Sequence, residues 1–416
     1  MQTSLLTPRY IPRALEDGWM TASDQFPVVL LTGPRQVGKT TMLQKLAEAD
    51  RRYVSLDDPT ARALANDDPA LFLEQHRPPV LIDEVQYAPG LLPYVKVAVD
   101  ASRRPGEFWL TGSQQCQMMR NVSESLAGRV AIVSLLGFST RERHGIGVDL
   151  PPFVPTAACL DERDHAGLPA TDLAAVYADI WRGSFPALVA GPVHDWHLFY
   201  SSYLQTYLQR DVQDLVQVGN EAVFLRFLRA AAARTAQLLN LSDLARDADI
   251  AVNTAKHWLS ILQASFQVVL LPAYATNLST RLVKRPKLYF VDTGLCAYLA
   301  RWSSPETLEA GAMAGALFET HVFGEVLKSW WFRNRVPELF YYRDKDGREI
   351  DIVLSADGRL YPMDVKRGVA PRPEWLRPFA AIRGVAPTVS DGAIVCAARH
   401  MVRISAEVTL VPVGWL

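Results

Sequence analysis

The segment Gly33-Pro34-Arg35-Gln36-Val37-Gly38-Lys39-Thr40 fits the pattern G-x-x-x-x-G-K-[ST]. It lies between the apolar run PVVLLTG and the amphipathic stretch KTTMLQKLAEA, the strand-then-helix setting that this loop requires. A chain with that junction must bury a strand beside a helix N-terminus, which commits the region to a parallel α/β sheet. Gly33 and Gly38 let the backbone curl so that amide N–H groups point at a phosphate, and the helix start adds its positive end. In such a loop Lys39 bridges the β- and γ-phosphates and Thr40 ligates Mg2+, while Pro34, Arg35, Gln36, Val37 and Thr41 complete the cradle.

A phosphate loop alone serves kinases and GTPases as well, so the second half of the site decides the chemistry. PPVLIDEVQ reads as an apolar strand ending in Asp83 and Glu84. Asp83 is expected to hold Mg2+ through water and Glu84 to polarise the attacking water, the acid pair that hydrolysis needs. A third strand, EFWLTGS, ends in Thr111 and Ser113, at the sheet edge where open α/β folds bind ligands. Ser113 is placed to meet the γ-phosphate or the water. Arg129 is the nearest later arginine able to sense the γ-phosphate or reach a neighbouring subunit, and reads equally well as a surface arginine. No guanine-reading N-K-x-D string is present, which favours ATP. Glu84 beside Asp83 favours water as acceptor over a small-molecule kinase substrate.

The alternation of buried strands and helices continues from Pro27 to Phe138, and the first domain is expected over residues 1–140. Residues 141–275 read as a connection followed by helices. Within them LNLSDLARDADIAVNTAKHWLSILQASFQVVLLPAY has the order helix, turn, helix, strand of a winged helix-turn-helix, with Asn253 as a helix cap. Asn253, Lys256 and His257 are its candidate contacts, for nucleic acid or equally for protein. The basic cluster Arg281, Lys284, Arg285 and Lys287 follows, suited to phosphate-backbone contacts or to a solvated loop. Residues 276–416 read as a further α/β unit, in which a long helix precedes three strands separated by DKDG and SADG turns.

Composition narrows the classes. With 43 basic and 44 acidic side chains among 416 residues the net charge is -1, so no global field draws the chain to nucleic acid or membrane. Cys116, Cys159, Cys296 and Cys396 are far apart with no C-x-x-C pair, and His144, His165, His194 and His197 have no ligand spacing, so neither zinc nor a disulfide framework is expected. No signal-peptide pattern or membrane-length apolar run is visible, and a soluble cytoplasmic protein is the expectation.

Glu319 on the long helix, Glu349 and Asp351 on one strand, and Asp364-Val365-Lys366 on the next form a second constellation. Residues two apart share a strand face, so hairpin pairing can gather these carboxylates with the Lys366 amine. The arrangement resembles the PD-(D/E)xK nuclease core. That resemblance implies Mg2+ or Mn2+ on Glu319, Asp351 and Asp364, with Glu349 accessory and Lys366 activating water. Salt bridges to Lys345, Arg348 and Arg367 are the competing account.

GPRQVGKTT, SLDDP, LIDEVQ, LTGSQ, SLAGR and KLYFVDTGL together resemble a family of bacterial and archaeal AAA-type ATPases that carry a C-terminal domain of unknown function. The resemblance spans almost the whole chain. It implies an ATPase domain, a helical and winged-helix region, and a restriction-endonuclease-like domain. The expected function is a Mg2+-dependent ATPase whose nucleotide state controls a DNA- or RNA-directed module, with metal-dependent nuclease activity as one form of it. The alternative is a nucleotide-dependent switch or scaffold whose nuclease-like domain is inactive and binds a protein partner. A homo-oligomer is compatible with either.

Overall fold

Val28–Thr32 forms strand β1, buried along all five residues, as a strand covered on both faces by helices must be. A computed structural model places it within a description of residues 10–112, 125–168, 171–191, 193–207, 221–275, 284–386 and 388–416. Helix α1 (Glu16–Gln25) precedes β1, with Glu16 and Asp17 in its first turn favourable to the helix dipole. Helix α2 (Lys39–Leu46) follows the loop. Strands β2 (Arg52–Ser55) and β3 (Val80–Asp83), helix α3 (Leu92–Ser102), and strands β4 (Phe108–Thr111) and β5 (Val130–Ser134) complete a parallel sheet in the order β2-β3-β4-β1-β5. Alternation splits its side chains between two cores. Val29, Leu31, Leu81 and Trp109 face one core with Trp19 of α1, and Val28, Leu30, Ile82, Phe108 and Leu110 face the other with Val95 of α3.

A short helix α4 (Thr140–His144) leaves the sheet through a capping box in which Ser139 and Glu142 satisfy each other's backbone amides. The middle region carries α5 (Leu173–Arg182), α6 (Trp196–Tyr207), α7 (Glu221–Ala232), strand β6 (Gln237–Leu238), α8 (Leu241–Ala248), α9 (Val252–Ala264), and strands β7 (Val268–Leu271) and β8 (Lys287–Phe290). The three strands form an antiparallel sheet in the order β6-β8-β7. Asn240 caps α8 by accepting from Ser242 and Asp243 amides. Asn253 does not cap α9, contrary to the sequence expectation: the helix begins at Val252, and Ala251 stands at the cap without a side-chain bond.

The last region opens with α10 (Ala314–Trp331), then β9 (Glu338–Arg343), β10 (Glu349–Ala356), β11 (Arg359–Val365), α11 (Arg377–Val385), β12 (Gly392–Cys396), β13 (Val402–Arg403) and β14 (Val408–Pro412). Its mixed sheet runs β13-β14-β12-β11-β10-β9. Asp357 and Gly358 both take positive φ between β10 and β11, the two-residue turn that the SADG string predicts. Strand β8, which lies beyond the boundary expected between residues 275 and 276, pairs with β7 and β6 in the middle sheet. Among the described residues no helix is long and apolar enough to cross a membrane.

Candidate functional site

The loop after β1 is held by close backbone packing. Gly33 has φ 139°, and a Cβ there would lie 2.0 Å from the Leu135 carbonyl oxygen, so no other residue fits. Gly38 enters α2 with φ 89°. Lys39 is buried, and its Nζ donates to the Gly33 carbonyl at 3.1 Å and the Pro34 carbonyl at 2.8 Å, folded onto the loop it would serve. Thr40 Oγ1 shares its proton with both Asp83 oxygens, at 2.9 and 3.1 Å.

Thr111, fully buried at the end of β4, joins Asp83, which ends β3, to Glu84 just beyond it. Its hydroxyl donates to Asp83 Oδ1 and accepts the Glu84 amide at 3.0 Å. Glu84 sits in the left-handed region at φ 57°, costly for a glutamate and sustained by its surroundings, with Gln86 Nε2 donating to its Oε2. Tyr53 on β2 donates to Asp83 Oδ2 at 3.2 Å. Arg35, Gln36, Lys39, Thr40, Glu84 and Thr206 border a cavity of about 660 Å³ over this edge. Thr40 and Asp83, already paired, are the two groups between which a cation on a polyphosphate could be held.

A second cavity, about 420 Å³ and mostly apolar, opens beside Gly38 and Thr41, walled by Tyr10, Ile11, Val37, Phe138, Pro186 and Ala187. Its dimensions and chemistry suit a planar base. Arg13 lines this apolar cavity and braces its wall. Its guanidinium donates to the Val37 carbonyl at 2.9 Å, the Leu136 carbonyl at 2.8 Å and Glu142 Oε1 at 2.9 Å, and lies 4.5 Å from the Phe138 ring centre. Neither Arg13 nor Tyr53 carries a motif signal, because their partners are distant in sequence.

Of the other expected phosphate contacts, Arg129 is the one that falls within the described residues. Ser113 lies outside the described residues. Arg129 pairs with Asp100 at 3.0 Å, and its carbonyl accepts the Val28 amide at the start of β1, the opposite end of the sheet from the loop. Within this chain the structure does not bring Arg129 to the phosphate cavity. On α9, Asn253, Lys256 and His257 are exposed, as the contact reading requires.

At the far end, the structure does gather Glu319, Glu349, Asp351, Asp364 and Lys366, and adds a member the sequence placed elsewhere. Lys287 of β8 is not a solvated phosphate contact. Its Nζ is buried and donates to Glu319 Oε1 at 2.9 Å, Asp351 Oδ1 at 3.1 Å and Glu349 Oε1. Tyr289 donates to Glu319 Oε1 at 2.6 Å, the Val365 amide to Asp351 Oδ2 at 2.9 Å, and Lys366 pairs with Asp364 Oδ2 at 2.6 Å.

The electrostatics follow from crowding four acids and two lysines, with Lys287, Asp351 and Asp364 buried. Burial, then the nearby Asp351 charge, pushes Glu319 up to about 8 against the pull of Lys287 and Tyr289. Burial and Asp351 likewise raise Asp364 well above the carboxylate range, Lys366 notwithstanding. Burial opposes ionisation of Asp351 too, but Lys287, Asp364, Lys366 and the Val365 amide hold it down. Among the described residues no group of three or more His, Cys, Asp or Glu is disposed to hold a metal ion. At the place where Glu319, Asp351 and Asp364 are expected to hold Mg2+ or Mn2+, the Lys287 ammonium lies against Glu319 and Asp351.

Helix α10 links the two ends. Glu325 Oε2 accepts the Thr140 amide at 2.8 Å, and Lys328 Nζ donates to Glu325 Oε1 and to the Phe138 carbonyl, each at 2.9 Å. Burial raises the cost of the Glu325 charge, but Lys328, His321 and the Thr140 amide together hold it down to about 2. Phe138 lines the apolar cavity, so α10 touches the nucleotide side directly.

Comparison with known proteins matches three stretches of the chain. A family profile described as an AAA domain matches residues 25–144, and domains of unknown function DUF8612 and DUF4143 match residues 175–306 and 314–416. Uncharacterized protein Rv2008c of Mycobacterium tuberculosis is 30% identical over 345 residues, covering 83% of this chain and 71% of the relative. Uncharacterized protein Mb2031c of Mycobacterium bovis matches with the same 30% identity and the same coverage of 83% and 71%. Among solved structures, the Walker-type ATPase paby2304 of Pyrococcus abyssi aligns at TM-score 0.43 with 17% identity, over 71% of this chain and 98% of that one. The Thermotoga maritima RuvB Holliday junction branch migration motor aligns at TM-score 0.28 with 17% identity, over 62% and 85%.

Proposed function

The chain belongs to the family of the uncharacterized mycobacterial protein Rv2008c and carries an N-terminal AAA domain, and from that premise we propose that it is a Mg2+-dependent ATPase acting as a nucleotide-driven switch. The observation that carries this reading is the convergence of Lys39, Thr40, Asp83, Thr111 and Glu84 on one sheet edge beside an apolar cavity.

In this reading the base enters the apolar cavity, whose described lining holds no carboxylate to read guanine, so adenine is the nucleobase. Lys39 leaves the Gly33 and Pro34 carbonyls for the β- and γ-phosphates, and the loop amides and the α2 N-terminus take the remaining charge. Thr40 and Asp83 hold Mg2+, which neutralises phosphate charge when bound. Glu84 polarises the attacking water. Thr111 fixes its backbone and Gln86 steadies its carboxylate.

The output runs through α10, because the Phe138 and Thr140 contacts join the nucleotide side to the C-terminal domain. The order of α7, β6, α8, α9, β7 and β8, with β8 central in the sheet, supports a winged-helix unit. Its exposed Asn253, Lys256 and His257 carry the nucleic-acid-directed reading. The Lys287 geometry favours the second reading, a switch or scaffold whose nuclease-like domain engages a protein partner without cutting.

The test is nucleotide binding and turnover. Lys39→Ala is expected to lose ATP binding, and Glu84→Gln to bind ATP but hydrolyse it at least a hundredfold more slowly. Undiminished binding in Lys39→Ala refutes the site. Binding of single-stranded and duplex DNA and RNA, with and without ATP, by the parent and by Lys256→Ala separates the two outputs, and mass measurement in both nucleotide states reports assembly.

A further inference from the structure

We propose that Lys287 is the resident cation of the C-terminal acid cluster, which takes no divalent metal and instead clasps the middle sheet to the C-terminal sheet. The first argument is valence. An ammonium has three N–H donors and no acceptor, and Lys287 directs its donors at three carboxylates, Glu319, Glu349 and Asp351. A metal would have to sit where that nitrogen sits.

Part of the remaining acceptor set is engaged as well, although Asp364 Oδ2, in an ion pair with Lys366, has no hydrogen bond. Tyr289 donates to the Glu319 oxygen that Lys287 uses, the Val365 amide takes the second oxygen of Asp351, and Lys366 takes Asp364. The Lys287 side chain is only 3% exposed, so withdrawing it to admit a hydrated ion would break three buried charge contacts at once.

The second argument is where the partners come from. Lys287 and Tyr289 lie on β8 of the middle sheet, whereas Glu319 belongs to α10 and Glu349 and Asp351 to β10. The same joint is stitched along the backbone: the Tyr341 amide donates to the Pro272 carbonyl at 3.0 Å, the Tyr274 amide donates to the Tyr341 carbonyl at 2.6 Å, and the Tyr341 hydroxyl donates to the Arg285 carbonyl at 2.6 Å. The ammonium and these bonds close one seam between two sheets. The seam shares no residue with the nucleotide site, so it stands or falls separately from the ATPase reading, and it is the ground for preferring the non-cutting output.

The experiment is a Mn2+ titration of the full chain without nucleotide, followed by electron paramagnetic resonance and repeated in Asp83→Asn to exclude the nucleotide site. The parent is expected to bind no Mn2+ in the micromolar range. Lys287→Ala, which leaves three facing carboxylates without their cation, is expected to gain one Mn2+ and a Tm rise with Mn2+, both lost again on adding Asp351→Asn. A parent that binds one Mn2+, lost in Asp351→Asn, overturns the proposal. The clasp is read by hydrogen exchange in Glu349→Gln, a partly exposed partner whose loss the fold tolerates even if Lys287→Ala does not fold. Exchange at β8 and β9 is expected to quicken together at least tenfold while β1 and β4 are unchanged, and unchanged exchange at β8 and β9 overturns the clasp.

Discussion

Arg13 donates through Nη1 to the carbonyl of Val37, inside the phosphate loop, although the two residues lie 24 positions apart. The same guanidinium pairs with Glu142 at 2.9 Å, and both side chains are essentially withdrawn from water. The curvature of the loop therefore depends on a residue that precedes the sheet.

Removing that brace leaves a fully buried Glu142 without its partner. Arg13→Met is expected to cost about 3–5 kcal/mol in denaturant unfolding and to weaken ATP binding, since an orphaned buried charge is the expensive case. Adding Glu142→Gln should recover part of the stability but not the affinity. Additive losses in the double variant would contradict the pairing.

Thr111 joins Asp83 to the Glu84 backbone, and valine has nearly its shape. Thr111→Val should keep the fold, with a cost of about 1–3 kcal/mol for the lost hydroxyl. Steady-state kinetics should show kcat falling at least tenfold, because Glu84 loses the bond that holds its left-handed backbone. An unchanged kcat would remove Thr111 from the machinery.

The apolar cavity gives a steric test. Ala187→Trp places an indole where the base is expected, and the KM for ATP should rise at least tenfold with melting temperature unchanged. If ATP affinity is indifferent to this substitution, the base lies elsewhere.

Acid sensitivity follows from the buried face of α10. Burial lowers His321 to about 4 from 6.5, against the charge of Glu325 and Asp179 and with the help of Lys328 and Arg143. Its folded value lies below its unfolded one, so the unfolded chain binds more protons, and stability is lost as pH falls from 6.5 toward 4. The loss is about 3 kcal/mol, because each tenfold weakening of proton binding in the folded chain is worth about 1.4 kcal/mol. Glu325, held down to about 2, adds a second loss below pH 4.5. His321→Leu should flatten the melting-temperature profile between pH 4 and 6.5, and an unaltered slope there would exclude His321 as its source.

What could be read in advance was whatever local spacing encodes. The loop from Gly33 to Thr40, the acids closing β3, and the Asp357-Gly358 hairpin each follow from neighbouring residues and a fixed backbone period. Hairpin geometry likewise brought Asp351 near Asp364. Lys287 defeated the same reasoning, because in sequence it stands in a basic run and its counter-charges arrive 32 and 64 positions later. Of the roles open to Arg129, the one within its own chain needed the chain direction to judge: its loop faces the strand starts, a placement that the string SLAGR does not carry. Asn253 is a capping residue type one step inside its helix, a shift within the ordinary uncertainty of helix ends.

Helix α10 has a mechanical property that neither of its ends has alone. Glu319 and Glu325 are six residues apart, roughly 9 Å along a rigid rod at 1.5 Å per residue. A roll of that rod that reseats Glu325 against Thr140 carries Glu319 through the same angle under Lys287. One helix thus carries both a contact of the nucleotide side and a contact of the acid cluster.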